Sequence, residues 1–235
     1  MNFYNELNQA TEAHRASLYS AGLINKALSQ RITLEEYVSF LTQAYHHVKH
    51  TVPLLMAVGA RLPERYEWLR SAVAEYIEEE LGHQEWVLND IEACGFDKEA
   101  ARMSQAAPAT ELMVAYAYDT VQRVNPLGFF GMVHVLEGTS ISVADQAADN
   151  IQETLGLPKK AFSYLISHGS LDVSHVKFFE DLVNRIDTPE DQDIILHAAK
   201  MFYGLYRGVF VDAERYAARN DQSNELLPDI QGVAG

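Results

Sequence analysis

His168, Asp172 and His175 stand in an H-x-x-x-D-x-x-H spacing inside a long amphipathic stretch, and Glu80-x-x-His83 stands on an earlier one. A helix turns about 100° per residue, so steps of three, four and seven return to nearly the same face and aim three metal-competent donors at one volume. Asp172-x-x-His175 repeats the carboxylate-x-x-histidine spacing of Glu80-x-x-His83. Two such motifs, with single acids from other helices, are the donors from which helical bundles build a binuclear carboxylate site. Glu137 is a further acid of this kind. It sits in Gly131-Met-Val-His-Val-Leu-Glu-Gly138, where a carboxylate is costly unless paired or ligating.

Each motif also has a plainer explanation. Glu80 closes the run Glu78-Glu79-Glu80, which alone would be a solvated acidic face. On a helical wheel, however, Tyr76, Glu80, His83 and Val87 continue the apolar side. Glu137 could be a structural acid paired with His134 one turn back. The two histidines of the third motif could decorate a polar face, but Leu165, Leu171, Phe178, Phe179 and Leu182 describe a largely buried helix. Hard carboxylate oxygens and borderline imidazole nitrogens suit iron. Glu80, His83, Glu137, His168, Asp172 and His175 are therefore the candidate ligands, for two iron ions or, as the alternative, one. The remaining wall would carry His46, His47 and His50, where the same logic asks for another acid and finds none. His46 or His47 could ligate or hydrogen-bond to a ligand, or simply pack beside Pro53.

The rest of the composition narrows the function classes. The chain has 235 residues, 48% of them hydrophobic, enough for one domain with a sizeable core. Its 33 acidic residues against 18 basic ones, a formal charge of -15, make a surface that repels phosphate backbones, so nucleic acid is not an expected partner. Neither a membrane span nor a signal peptide is indicated, and the expected location is the cytoplasm. The single cysteine, Cys94, excludes an intrachain disulfide and any cysteine-based cluster. It precedes Gly95 at an expected helix C-terminus, where the helix dipole raises a thiol's pKa, so it makes a poor nucleophile.

Apolar residues recur at three- and four-residue spacing almost throughout, which predicts an all-α fold. Seven long helices are expected, over 2–21, 34–61, 64–93, 108–124, 127–155, 158–186 and 189–219, with short pieces near 23–30 and 97–104. Thr33 with Glu36 forms a capping-box pattern, Pro53 predicts a kink, and Thr188 with Pro189 opens the last helix. Residues 1–219 are expected to form a single domain and 220–235 a loose tail. The last helix carries Phe202, Tyr203, Tyr206 and Phe210, more aromatic surface than one face needs, which favours a homodimer.

In the order Glu80-x-x-His83, Glu137, His168-x-x-x-Asp172-x-x-His175, the chain resembles the heme-oxygenase-like superfamily, the TenA/THI-4-related group, and specifically its iron-containing redox branch. That branch includes the Chlamydia protein associating with death domains and the heme-oxygenase-like diiron oxidases. The resemblance spans nearly the whole chain. It implies a seven-helix bundle, often dimeric, whose matching positions bind iron and activate dioxygen on a small organic metabolite. Tyr76 stands where the chlamydial protein has a carboxylate ligand, which adds Tyr76 to His46 and His47 as a candidate ligand or ligand partner. The residue before Glu137 is Leu136, not a tyrosine, so use of the protein's own tyrosine as substrate is not implied. Other readings stay open: a TenA-like hydrolase needing an activated cysteine, a metal-free or cofactorless oxidase using the histidines for acid-base work, and a partner-binding protein without catalysis.

Overall fold

The computed structural model describes the backbone of residues 2–225, with side chains for residues 2–167 and 176–219. Three helices open the chain: α1 (Phe3–Ala10), α2 (Glu12–Tyr19) and α3 (Gly22–Leu28). They are followed by α4 (Leu34–Val48), α5 (Thr51–Arg61), α6 (Glu67–Glu80), α7 (His83–Ala93), α8 (Lys98–Met103) and α9 (Pro108–Asp119). The long helices α10 (Phe129–Leu155), α11 (Ser163–Val183) and α12 (Pro189–Glu225) complete the bundle, and no strand occurs among the described residues. The all-α expectation holds. The last helix runs beyond Arg219, and residues 226–235 of the expected tail lie outside the described residues.

Several expected helices are divided by local chemistry. The capping box is present: Thr33 N–H donates to Glu36 Oε2 at 2.9 Å and Glu36 N–H to Thr33 Oγ1 at 3.2 Å. Pro53 does not kink the middle of a helix. It occupies the first turn of α5, where a missing N–H costs nothing, and its ring is incompatible with a helical carbonyl four residues back, at Lys49. The break accordingly falls at Lys49 and His50. A second division, at Leu81 and Gly82, is made by Gly82 in the left-handed region at φ 91°.

Helix α11 starts at Ser163 rather than at Pro158, which opens only a 3₁₀ turn. The reason is a cap supplied by another helix. Asp90 of α7 accepts the backbone N–H groups of Ser163 at 3.0 Å and Tyr164 at 2.8 Å, satisfying donors that a helix start leaves without intrahelical partners. Asp90 is fully buried, and burial pushes its carboxyl up from 3.8 to about 6, against the opposing pull of those N–H groups. A raised acid pKa contributes stability that is fully present below about pH 3.8 and lost as pH rises through about 6. Asp90→Asn removes this titration. Wild-type stability relative to the variant is expected to improve by on the order of 1 kcal/mol between pH 7 and pH 5, read from urea unfolding at both values. A pH-independent difference would show that Asp90 does not titrate in that range.

The core is built around α10, which packs against α11 and α12. Gly131 permits the α10–α12 approach: a Cβ there would lie 2.6 Å from the Ala199 backbone nitrogen and 2.8 Å from the Ile195 carbonyl oxygen. Residues Pro126–Leu155 are long and apolar enough to cross a bilayer, the most apolar stretch having a mean hydropathy of 1.3, yet 61% of that stretch is buried in the bundle. That is the position of a core helix. The aromatic residues of α12 are likewise used internally. Phe202, Tyr203, Tyr206 and Phe210 are all buried within the chain, so they offer no surplus surface to a second copy and the argument for a dimer from them is overturned.

Candidate functional site

Helix α6 ends on Glu80 and α7 begins on His83, with the Gly82 turn between them. The two side chains therefore do not share a helix face, yet they meet: His83 Nδ1 and Glu80 Oε2 are 3.1 Å apart. His83 is buried and its ring lies 4.0 Å from that of Trp86, which fixes its plane, while the Glu80 side chain keeps 17% of its exposure. Glu80 also lines a cavity of about 70 Å³ together with Glu137, His47 and Tyr76. Leu55, Phe129, Met132 and Leu136 form apolar wall around these polar groups. Ser140, Tyr164 and Tyr206 lie on the boundary with a second cavity that is almost wholly apolar.

Tyr76 is buried, and burial, followed by the charge of Glu137, pushes its phenol well above the usual tyrosine range. It stays protonated beside the carboxylate with which it lines the cavity. The two adjacent histidines of α4 separate cleanly. His47 enters the cavity and meets the Tyr206 ring edge-on at 5.8 Å. His46, one residue and about 100° away, faces outward from it. Its Nε2 lies 2.8 Å from Ser104 Oγ and its Nδ1 3.2 Å from Lys49 Nζ, and burial followed by the Lys49 charge lowers its pKa to about 4. His46 therefore turns away from the cavity that His47 enters. His50 also turns elsewhere, to the Tyr118 hydroxyl at 3.1 Å.

His168, Asp172 and His175 fall within the bounds of α11, but their side chains lie outside the described residues. Among the described residues no group of three or more His, Cys, Asp or Glu is close enough to hold a metal. The donors that are described nonetheless fit iron. Glu80 Oε2 and His83 Nδ1, 3.1 Å apart in a hydrogen bond, bring a carboxylate and an imidazole into one place. Oxygen and imidazole donors in a mostly apolar enclosure complete the chemical fit. Cys94, by contrast, lines neither of these cavities, and burial followed by the charge of Asp90 pushes its thiol up to about 12. It is not an activated nucleophile.

Asp90 was missed by motif reading, though it carries a visible signal, an acid at helical spacing with Val87 and Cys94 on an otherwise apolar stripe.

Known proteins show the same architecture. A domain of unknown function with a heme oxygenase-like fold from Shewanella denitrificans is 24% identical, with 99% of each chain covered and a TM-score of 0.83. A TenA homologue from Pseudomonas syringae pv. tomato is 12% identical over 91% of this chain and 93% of its own, with a TM-score of 0.78. Heme oxygenase-1 from Synechocystis, in complex with heme, is 12% identical over 97% and 100%, with a TM-score of 0.72. These likenesses establish a heme-oxygenase-like fold. No curated protein is significantly similar in sequence. Residues 38–207, which span α4 to the middle of α12 and so contain Glu80, His83, Glu137 and the α11 motif, match the family described as iron-containing redox enzyme, and the chain belongs to that family.

Proposed function

We propose that the protein is a non-heme iron oxidase or oxygenase that uses dioxygen on a small organic substrate. The observation that carries this reading is the hydrogen-bonded Glu80–His83 pair, a carboxylate and an imidazole brought together beside a cavity that Glu137 also lines. Glu80, His83 and Glu137 would hold iron together with His168, Asp172 and His175, two ions being favoured over one. Bound there, iron would supply one-electron chemistry and open positions for dioxygen.

The remaining residues do recognisable work around that set. Tyr76 keeps its phenol proton beside Glu137, where it would offer a hydrogen bond to the carboxylate. Trp86 holds the His83 ring, and the apolar lining of Leu55, Phe129 and Met132 excludes bulk water from the donors. His47 presents an imidazole to the same cavity, as a ligand or as a proton carrier to bound substrate. A TenA-like hydrolase would need an activated cysteine, and the displaced, high-pKa Cys94 lends that reading no support.

The test is anaerobic loading with Fe(II), followed by metal analysis and dioxygen uptake. Wild-type protein is expected to retain close to two iron ions per chain. Asp172 lies between two histidines one turn away on either side in sequence, so Asp172→Ala is expected to bring retained iron toward one per chain and abolish dioxygen uptake. Wild-type iron content and uptake rate in that variant would make Asp172 structural and overturn the binuclear assignment.

A further inference from the structure

A second cavity reaches Glu137 from a neighbouring face of α10. Its cavity, about 210 Å³, is bounded by α1 and α2 on one side and by α10, α11 and α12 on the other. Ile141 and Ser142 are exposed at its mouth, and Arg15 is half-buried. Tyr203 and His134 are buried in its wall, 1% and 5% exposed, and Glu137 lines it as well as the cavity described above.

The charge in this cavity is unusual for the protein. On a chain with a formal charge of -15, Arg15 makes no ion pair with any described carboxylate. Its guanidinium Nη1 instead donates to the neutral Asn8 amide oxygen at 3.3 Å, and the Tyr203 phenol lines the same cavity. His134 does not compete as a cation. Burial, followed by the charge of Arg15, lowers its pKa to about 4, and its Nε2 lies 3.2 Å from Thr11 Oγ1, whose own proton goes to the Leu7 carbonyl oxygen. A guanidinium held by neutral partners keeps most of its donor fork available, and that planar fork matches a carboxylate in two parallel hydrogen bonds.

We infer that this cavity is the substrate subsite, and that Arg15, with Asn8 and Tyr203 beside it, binds the carboxylate of a small organic acid whose other end reaches toward Glu137. This inference rests on the iron reading for the identity of the reacting end. The cavity is smaller than the roughly 300–1,000 Å³ that accommodates drug-sized ligands, so the occupant is a metabolite of amino-acid size. Arg15 serves as a binding residue and takes no part in electron transfer. The partly exposed mouth gives the ligand a path that does not cross the apolar wall around Glu80.

The test uses benzoate and N-acetyl-L-leucine as probes, with benzamide and N-acetyl-L-leucinamide as uncharged counterparts and inorganic phosphate as the competing anion. Affinities are measured by ligand-observed NMR on the full chain, with and without Fe(II), for wild type, Arg15→Gln and Arg15→Lys. The acids are expected to bind wild type at least tenfold more tightly than the amides. Arg15→Gln is expected to erase that preference and Arg15→Lys to retain part of it, while iron content stays at the wild-type level in both. Equal affinity for acid and amide, no binding of any probe, tighter binding of phosphate, or an unchanged preference in Arg15→Gln would overturn the subsite. If wild type retains no iron but still shows Arg15-dependent carboxylate binding, the redox reading fails and the subsite stands. Iron retention without carboxylate preference gives the reverse.

Discussion

Glu137→Ala is expected to lower iron affinity and dioxygen uptake by more than about 100-fold, because even groups that only support a ligand are worth about 10–100-fold at metal sites. Among the described residues Glu137 is the one acid that lines both cavities, so on the proposed reading its loss would remove a donor from the iron site and a landmark from the substrate side at once. The fold should tolerate the change. Glu137 is only partly buried, so its removal leaves a modest gap rather than a large cavity. Glu137→Gln, which keeps shape and an amide oxygen beside Tyr76 but not the charge, separates packing from charge: it should fold like wild type and still bind iron poorly. Metal analysis and an oxygen electrode check both variants. Retention of iron and uptake by the pair would leave Glu137 a structural acid.

The largest expected effect on folding comes from Gly131→Ala. The added methyl would meet the Ala199 nitrogen at 2.6 Å, the Ala198 Cβ at 2.8 Å and the Ile195 oxygen at 2.8 Å, so two of its three contacts are backbone that no rotamer change can move. Overpacking usually costs about 1–3 kcal/mol, and a clash with backbone belongs at the upper end, about 3 kcal/mol. The change also forces α10 away from α12 six residues before Glu137, so iron affinity should fall with stability. Gly204→Ala is the matched control on α12: a Cβ there meets nothing within 4 Å, and helix propensity alone should stabilise the chain by up to about 1 kcal/mol. Urea midpoints for both variants decide the matter. Equal effects would mean that α10 and α12 can separate without cost.

Helical periodicity identifies where the long helices lie because each buries one apolar stripe against its neighbours, and α10 and α12 are legible for that reason. Breaks are less legible. Across Gly82 the spacing Tyr76, Glu80, His83, Val87 continues a single helical stripe, and nothing in the apolar pattern marks the left-handed residue inside it. The start of α11 was invisible for a different reason: its cap, Asp90, is 73 residues earlier than Ser163, and local signals cannot report a partner that only the fold brings close. The choice between His46 and His47 depended on the rotation of α4, which is fixed by packing against α7, α9 and α12. Glu80, His83 and Glu137 were legible because residue type alone, a carboxylate or imidazole in apolar surroundings, already demanded an explanation.

Gly82 also decides how the Glu80–His83 pair is assembled. Glu80 ends α6, which packs on α5, and His83 opens α7, which packs on α4, so the two donors come from different helices that meet at one turn. At φ 91° Gly82 holds a backbone conformation that residues with a side chain rarely adopt, so any replacement would strain that turn. The donor pair thus depends on a residue that contributes no chemistry of its own.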